Sequence, residues 1–113
     1  MAPAVREIHI AREFSDTPFG RYNSDGLESG QAFREKLLIP ALKNGAHVKL
    51  ILDGVEGLPS SFWEEVMGGL VREGLAPIDL KSRISLVAHD PALQVYIRLG
   101  WKYVDEESAR SGH

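Results

Sequence analysis

One stretch constrains the fold more than any other: Lys49-Leu50-Ile51-Leu52-Asp53-Gly54, then Val55-Glu56-Gly57-Leu58-Pro59, then Ser60-Ser61-Phe62-Trp63-Glu64-Glu65. The first part is a short apolar run closed by Asp-Gly, which predicts a buried strand ending in a turn. The second is a loop punctuated by glycine and proline. The third opens a helix on two serines, with Trp63, Val66, Met67, Leu70 and Val71 recurring on one face over residues 60–73. A strand feeding a helix through a tight loop is half of a strand–helix–strand unit, so the rest of the chain has to supply the other strands.

It does so on both sides. Residues 5–10 alternate apolar and polar side chains, as a half-buried strand does. Phe33, Leu37, Leu38, Ala41 and Leu42 make one apolar face over residues 29–43, with Pro40 expected to kink or end that helix early and Asn44-Gly45 to stop it. Residues 47–52 and 84–88 read as buried strands. Asp90-Pro91 starts a third helix, with Asp90 as N-cap and Pro91 at the first helical position. Residues 101–104 are expected to form a short final strand, and residues 105–113 a polar, frayed tail. Gly68-Gly69 inside the second helix costs about 1 kcal/mol per glycine relative to alanine, so close packing against the sheet is expected there. Residues 14–30, rich in Gly, Ser, Asp and Asn, form a loop long enough to suggest a function. Strands alternating with helices define a single α/β domain, with its core at about residues 5–104 and a largely parallel or mixed sheet. Ligands and partners of such sheets meet the carboxyl ends of the strands, where the loop of residues 53–61 lies.

Composition removes several classes of function. A chain of 113 residues suits one domain. It has no cysteine, which excludes a disulfide framework, a thiolate metal site and a cysteine nucleophile. The net charge is -3 with no basic stripe, so nucleic acid is not an expected partner. No run approaches the roughly 20 apolar residues of a membrane helix, and the first residues lack a signal peptide's apolar segment. A cytoplasmic protein is expected.

The candidate chemistry is sparse. Ser61-Phe62-Trp63-Glu64 fits a capping box, in which Ser61 accepts from the Glu64 amide. The same helix start also suits a phosphate on Ser60 or Ser61, through free amides and the helix dipole. Asp53, Glu56, Glu64 and Glu65 read as a solvated acidic rim rather than a metal site, because their spacing fits no calcium loop. Arg21, Asp25, Ser29 and Arg34 bracket the long loop and can order it as a polar network; Asp25-Gly26-Leu27-Glu28 is a second capping-box pattern. His9, His47, His89 and His113 are scattered, without metal-pair spacing. There is no phosphate loop and no dinucleotide fingerprint, so no cofactor is expected. Residues 92–101 resemble the closing segment of small-molecule N-acetyltransferases, although the loop that binds the coenzyme A pyrophosphate in that family is missing.

Four segments together resemble the STAS-like domain family of unknown function, related to the STAS domains of anti-sigma-factor antagonists. They are Phe19-Gly20-Arg21-Tyr22-Asn23-Ser24-Asp25-Gly26, Ser29-Gly30-Gln31-Ala32-Phe33-Arg34-Glu35, Leu52-Asp53-Gly54-Val55, and Pro59-Ser60-Ser61-Phe62-Trp63-Glu64-Glu65 with Gly68-Gly69-Leu70. The resemblance implies a mixed sheet of about four to five strands with about three helices mainly on one side. In related STAS proteins the helix opens on Asp-Ser-Ser-Gly, and the second serine is phosphorylated by an anti-sigma kinase. Ser61 matches that position, with Ser60 beside it; Pro59 stands where the motif has Asp and Phe62 where it has Gly. The resemblance implies a histidine-kinase-like ATPase as protein partner. The partner-binding residues expected on this basis are Asp53, Gly54, Glu56, Pro59, Ser60, Ser61, Phe62 and Glu65, with Phe62 as anchor if exposed. The expected function is a non-enzymatic regulatory module in which a phosphate disrupts docking by charge. A small acyltransferase-like enzyme and a structural subunit whose serines only cap are the alternatives.

Overall fold

The computed structural model describes residues 4–111. Strands β1 (Val5–His9), β2 (His47–Ile51) and β3 (Ile84–Val87) form a three-stranded sheet in that order, and both pairings are parallel. The register sets Ile8 beside Leu50 and Leu50 beside Leu86, with Val48 beside Ile84. Ile8, Val48, Leu50 and Ile84 on this face are buried, as the period-2 alternation requires. The other face carries the row Glu7, Lys49, Ser85, and there His47 Nε2 lies 2.8 Å from Ser85 Oγ.

After β1 the chain makes the short helix α1 (Ile10–Glu13) and then the long loop, which holds one 3-10 turn at Asn23–Asp25. A single helical rod follows: α2 (Gly30–Phe33), a π-helical stretch (Arg34–Leu38) and α3 (Ile39–Lys43). Helix α4 (Ser60–Arg72) packs between this rod and the last helix, α6 (Gln94–Arg110). Helix α5 (Pro77–Arg83) leads into β3, and a 3-10 turn at Pro91–Leu93 leads into α6. Asp90 caps that turn, its carboxylate accepting from the Ala92 amide at 2.9 Å. The core is strongly aromatic around α4. Phe14 meets Phe33 edge-on at 5.2 Å and Phe62 at 6.2 Å, and the buried Trp63 donates from its indole N–H to the Tyr96 carbonyl at 2.7 Å. Full burial of a Phe side chain contributes about 1.5–3 kcal/mol.

Several expectations are corrected. Among the described residues the sheet has three strands instead of four to five, and both of its pairings are parallel instead of mixed. Residues 101–104 are helix: Trp101-Lys102-Tyr103-Val104 alternates in sequence, but Gly100, Val104 and then Glu107-Ser108 are the buried positions, a helical spacing. The stretch read as a frayed tail continues α6 to Arg110; His113 lies outside the described residues. Pro40 does not end its helix. The π-helical stretch precedes it, and a widened hydrogen-bond ladder accommodates a residue that cannot donate. Gly68 and Gly69 face charged side chains instead of the sheet: a Cβ on either would overlap Glu64 and Arg34 respectively. No helix among the described residues is long and apolar enough to cross a membrane.

Candidate functional site

The carboxyl ends of β2 and β3 are held together beyond the strands themselves. The Leu52 amide donates to the Val87 carbonyl at 2.8 Å. Asp53 then accepts from the His89 amide at 3.0 Å and the Asp90 amide at 2.8 Å, and His89 Nδ1 lies 3.1 Å away. These backbone donors, His89 first, hold the Asp53 carboxyl below its ordinary range. Gly54 turns the chain at φ 99°, a conformation that costs other residues strain. Asp53 therefore clamps the loop before α4 to the loop before α6. The Glu56 amide donates to the Asp16 carbonyl at 2.8 Å, which adds the long loop to the same end of the sheet.

Helix α4 starts at Ser60, so its N-cap is Pro59, a residue without a side-chain oxygen. The Trp63 amide donates to the Pro59 carbonyl at 2.9 Å and closes the first turn. The capping box expected of Ser61 and Glu64 is not formed: Ser61 sits inside the helix, and Glu64 turns to Arg21 and Arg72. Ser60 is exposed and Ser61 half-buried, and neither hydroxyl has a hydrogen bond among the described residues. Phe62 and Glu65 are buried, so neither is part of the surface; Phe62 is a core residue, not an exposed anchor.

Arg21, Asp25, Ser29 and Arg34 do not join in one network: Asp25 and Ser29 make local turn and cap bonds, while the two arginine side chains leave the loop. Asp25 accepts from the Arg21 amide at 3.0 Å and the Tyr22 amide at 2.9 Å, closing the 3-10 turn instead of capping at Glu28. Ser29 caps α2, accepting from the Ala32 amide at 3.1 Å. The arginines instead reach α4. Arg21 donates to Glu64 and, at 3.2 Å, to Glu65. Arg34 donates to the Glu65 carbonyl at 2.6 Å, the Glu65 carboxylate at 2.7 Å and Glu73 at 2.5 Å. Arg72 donates to Glu64 at 2.9 Å, to Glu65 at 3.2 Å and to Glu107 of α6.

Burial pushes the Glu64 carboxyl up, but hydrogen bonds from Arg72 and Arg21 together carry it below its ordinary value. Hydrogen bonding to Glu64 raises both Arg72 and Arg21. Glu64 and Glu65 are thus internal counter-ions, which corrects their reading as a solvated rim. Among the described residues no group of three His, Asp or Glu side chains could hold a metal ion.

What the sequence did not reveal is an open groove of about 400 Å³ lined by Thr17, Pro18, Phe19, Glu56, Gly57, Leu58, Pro59 and Tyr96. It adjoins Ser60. Phe19 is 66% exposed and Leu27 85% exposed, and Tyr22 and Val95 are also open to solvent. The signal available beforehand was the length of the loop, together with aromatic residues in a segment otherwise made of turn formers.

No curated protein and no solved structure matches the chain. A family model does, over residues 29–93, which include Arg34, Ser60, Ser61, Glu65 and Glu73, and leave β1, most of the long loop and α6 outside. That model describes a STAS-like domain of unknown function and matches more than half of the chain, and the chain belongs to this family.

Proposed function

We propose that the chain is a cytoplasmic, non-enzymatic regulatory module that docks a protein partner at the carboxyl end of its sheet, through residues 53–60 and the first turn of α4. One observation carries the reading. Two serines with unengaged hydroxyls stand at an uncapped helix start, directly beside an open apolar groove. Amides of a first helical turn have no partner within the helix, and its dipole favours an anion. A phosphate on Ser60, the more exposed of the pair, or on Ser61 changes the docking surface by about -1.5 to -2 charges.

The partner class that fits, by kinship with anti-sigma-factor antagonists, is a histidine-kinase-like ATPase. A binding role instead of a catalytic one is supported by the state of the ionisable residues around α4, which are engaged with one another in ion pairs. The test is to incubate the chain with the kinase-like ATPase encoded nearest to it and ATP, map phosphate by mass spectrometry, and measure the complex by calorimetry. The expected result is a complex with the unmodified chain and phosphate on Ser60 or Ser61. Finding neither overturns the proposal.

A further inference from the structure

We infer that the groove takes a cationic segment of its partner, a stretch in which an apolar side chain is flanked by Lys or Arg. The inference rests on the docking reading above and adds the chemistry of what docks. The floor of the groove is apolar, built from Phe19, Leu58, Pro59 and Tyr96. Acidic residues stand in its lining and in the segments bonded to it. Glu56 lines it. Asp16 is joined to it by the bond from the Glu56 amide to the Asp16 carbonyl, and Glu28 by the bond from the Phe19 amide to the Glu28 carbonyl at 3.0 Å. Asp90 sits in the loop that Asp53 clamps alongside.

Asp16, Glu28, Glu56 and Asp90 are all exposed, and none of them forms an ion pair among the described residues. The cation within the loop, Arg21, is turned inward to Glu64 and Glu65. The exposed cations nearest in sequence, Arg12 and Arg98, do not line the groove. An apolar floor with Glu56 in its lining and further unpaired carboxylates in the segments bonded to it attracts an oppositely charged segment and repels a like-charged one, and it does so most strongly at low salt. A second copy of this chain, net -3, is disfavoured on the same ground. Against a cationic segment a phosphate on Ser60 adds to the negative charge of Glu56 and strengthens docking, the opposite sign from disruption by charge.

The test uses the full chain and three short synthetic peptides: one with a central Phe-Leu flanked by lysines, its charge-reversed counterpart with glutamates, and the lysine peptide with Phe-Leu replaced by Ser-Ser. The first is expected to bind about tenfold more tightly than either of the others. Its affinity should fall as salt rises, and its amide shifts should centre on Phe19, Gly57 and Tyr96. The Asp16→Asn/Glu56→Gln double variant, with unchanged thermal stability, is expected to weaken it about tenfold. Equal binding of the charge-reversed peptide, indifference to salt, or shifts elsewhere overturns the inference. A protein partner that binds the wild type and the double variant equally also overturns it while leaving the docking reading intact. A partner that binds neither removes the docking reading itself.

Discussion

Arg34 holds Glu65 twice with one nitrogen: Nη1 donates to the backbone carbonyl of Glu65 at 2.6 Å and to its carboxylate at 2.7 Å. The two side chains are 8% and 6% exposed, so this is a buried pair linking the rod of α2 and α3 to α4. Such a pair stands only when its hydrogen bonds are satisfied, and Glu73 takes the Arg34 Nε–H at 2.5 Å. Room for the guanidinium comes from Gly69, and room for α2 to approach α4 comes from Gly30.

The glycines should therefore rank in a definite order when each is changed to alanine. A Cβ at Gly30 would lie 2.5 Å from the Phe62 carbonyl oxygen and 2.9 Å from Glu65 Cβ, and backbone cannot move aside. Gly30→Ala should be the most damaging. At Gly69 the Cβ would overlap Arg34 Nη1 and lie 2.9 Å from its Cζ, displacing the guanidinium from Glu65. At Gly68 it would overlap only the tip of the Glu64 side chain, which can swing. Helix propensity favours alanine by about 1 kcal/mol at both positions of α4. Gly68→Ala should consequently be near neutral, while Gly69→Ala should lose stability despite that gain. Urea midpoints of the three variants check the order; Gly69→Ala at or above wild type would contradict the role given to Arg34.

Truncating one partner of the pair should cost more than removing both. Arg34→Ala leaves Glu65 as a buried carboxylate held only by Arg21 and Arg72 at 3.2 Å, a loss of about 3–5 kcal/mol. The Arg34→Met/Glu65→Leu double variant removes the uncompensated charge and should recover most of it. Denaturant melts of the single and double variants decide this. A double variant no more stable than Arg34→Ala would mean the uncompensated Glu65 charge is not the main term.

Much of this architecture is readable beforehand, and the parts that are not share a cause. Residues 47–65 and the inner face of α4 follow from periodicity, because there burial and hydrophobicity coincide. They separate in α6, whose buried positions include Gly100, Glu107 and Ser108, residues that no apolar pattern marks. Helix α5 is missing from the expectations for a similar reason, since only Leu80 of it is buried. Arg21 and Arg34 are recognisable as a polar network, but their partners lie 31 to 44 residues away on α4, and sequence neighbours such as Asp25 and Ser29 are the visible candidates. At the site, the serines and Asp53 can be found from motif and turn chemistry, whereas the groove arises only when Phe19, Leu58 and Tyr96 meet from three separate loops and helices.

Two serines at helix starts should respond differently to alanine. Ser29 accepts from the Ala32 amide at 3.1 Å and is a working N-cap, so Ser29→Ala should cost about 1 kcal/mol. Ser61 lies inside α4 and caps nothing. Ser61→Ala should change stability by less than about 0.5 kcal/mol, because its hydroxyl caps nothing and alanine is the better helix former. Thermal melts of the two variants measured side by side test the contrast. A loss of about 1 kcal/mol or more at Ser61 would restore its role as a cap.

Acid should weaken the fold through Glu64. Its carboxyl is raised by burial but carried lower overall by hydrogen bonds from Arg72 and Arg21, so its pKa in the folded chain lies below that in the unfolded chain. A group shifted in this direction contributes its full stabilisation above the unfolded value, about 4.3 for a glutamate. The contribution is lost as pH falls through the lower folded value. Stability should hold near neutral pH and decline below about pH 4.5, with Glu64 adding up to about 1.4 kcal/mol per pH unit to the slope. Glu13, held low chiefly by its hydrogen bond from Arg6, and Asp53 act in the same direction. Glu64→Gln should lower stability at neutral pH and flatten the acid slope, because the residue that takes up the proton on unfolding is gone. Urea melts from pH 7 down to pH 3 on both proteins measure the two slopes. Identical slopes would show that Glu64 is not the group through which acid acts.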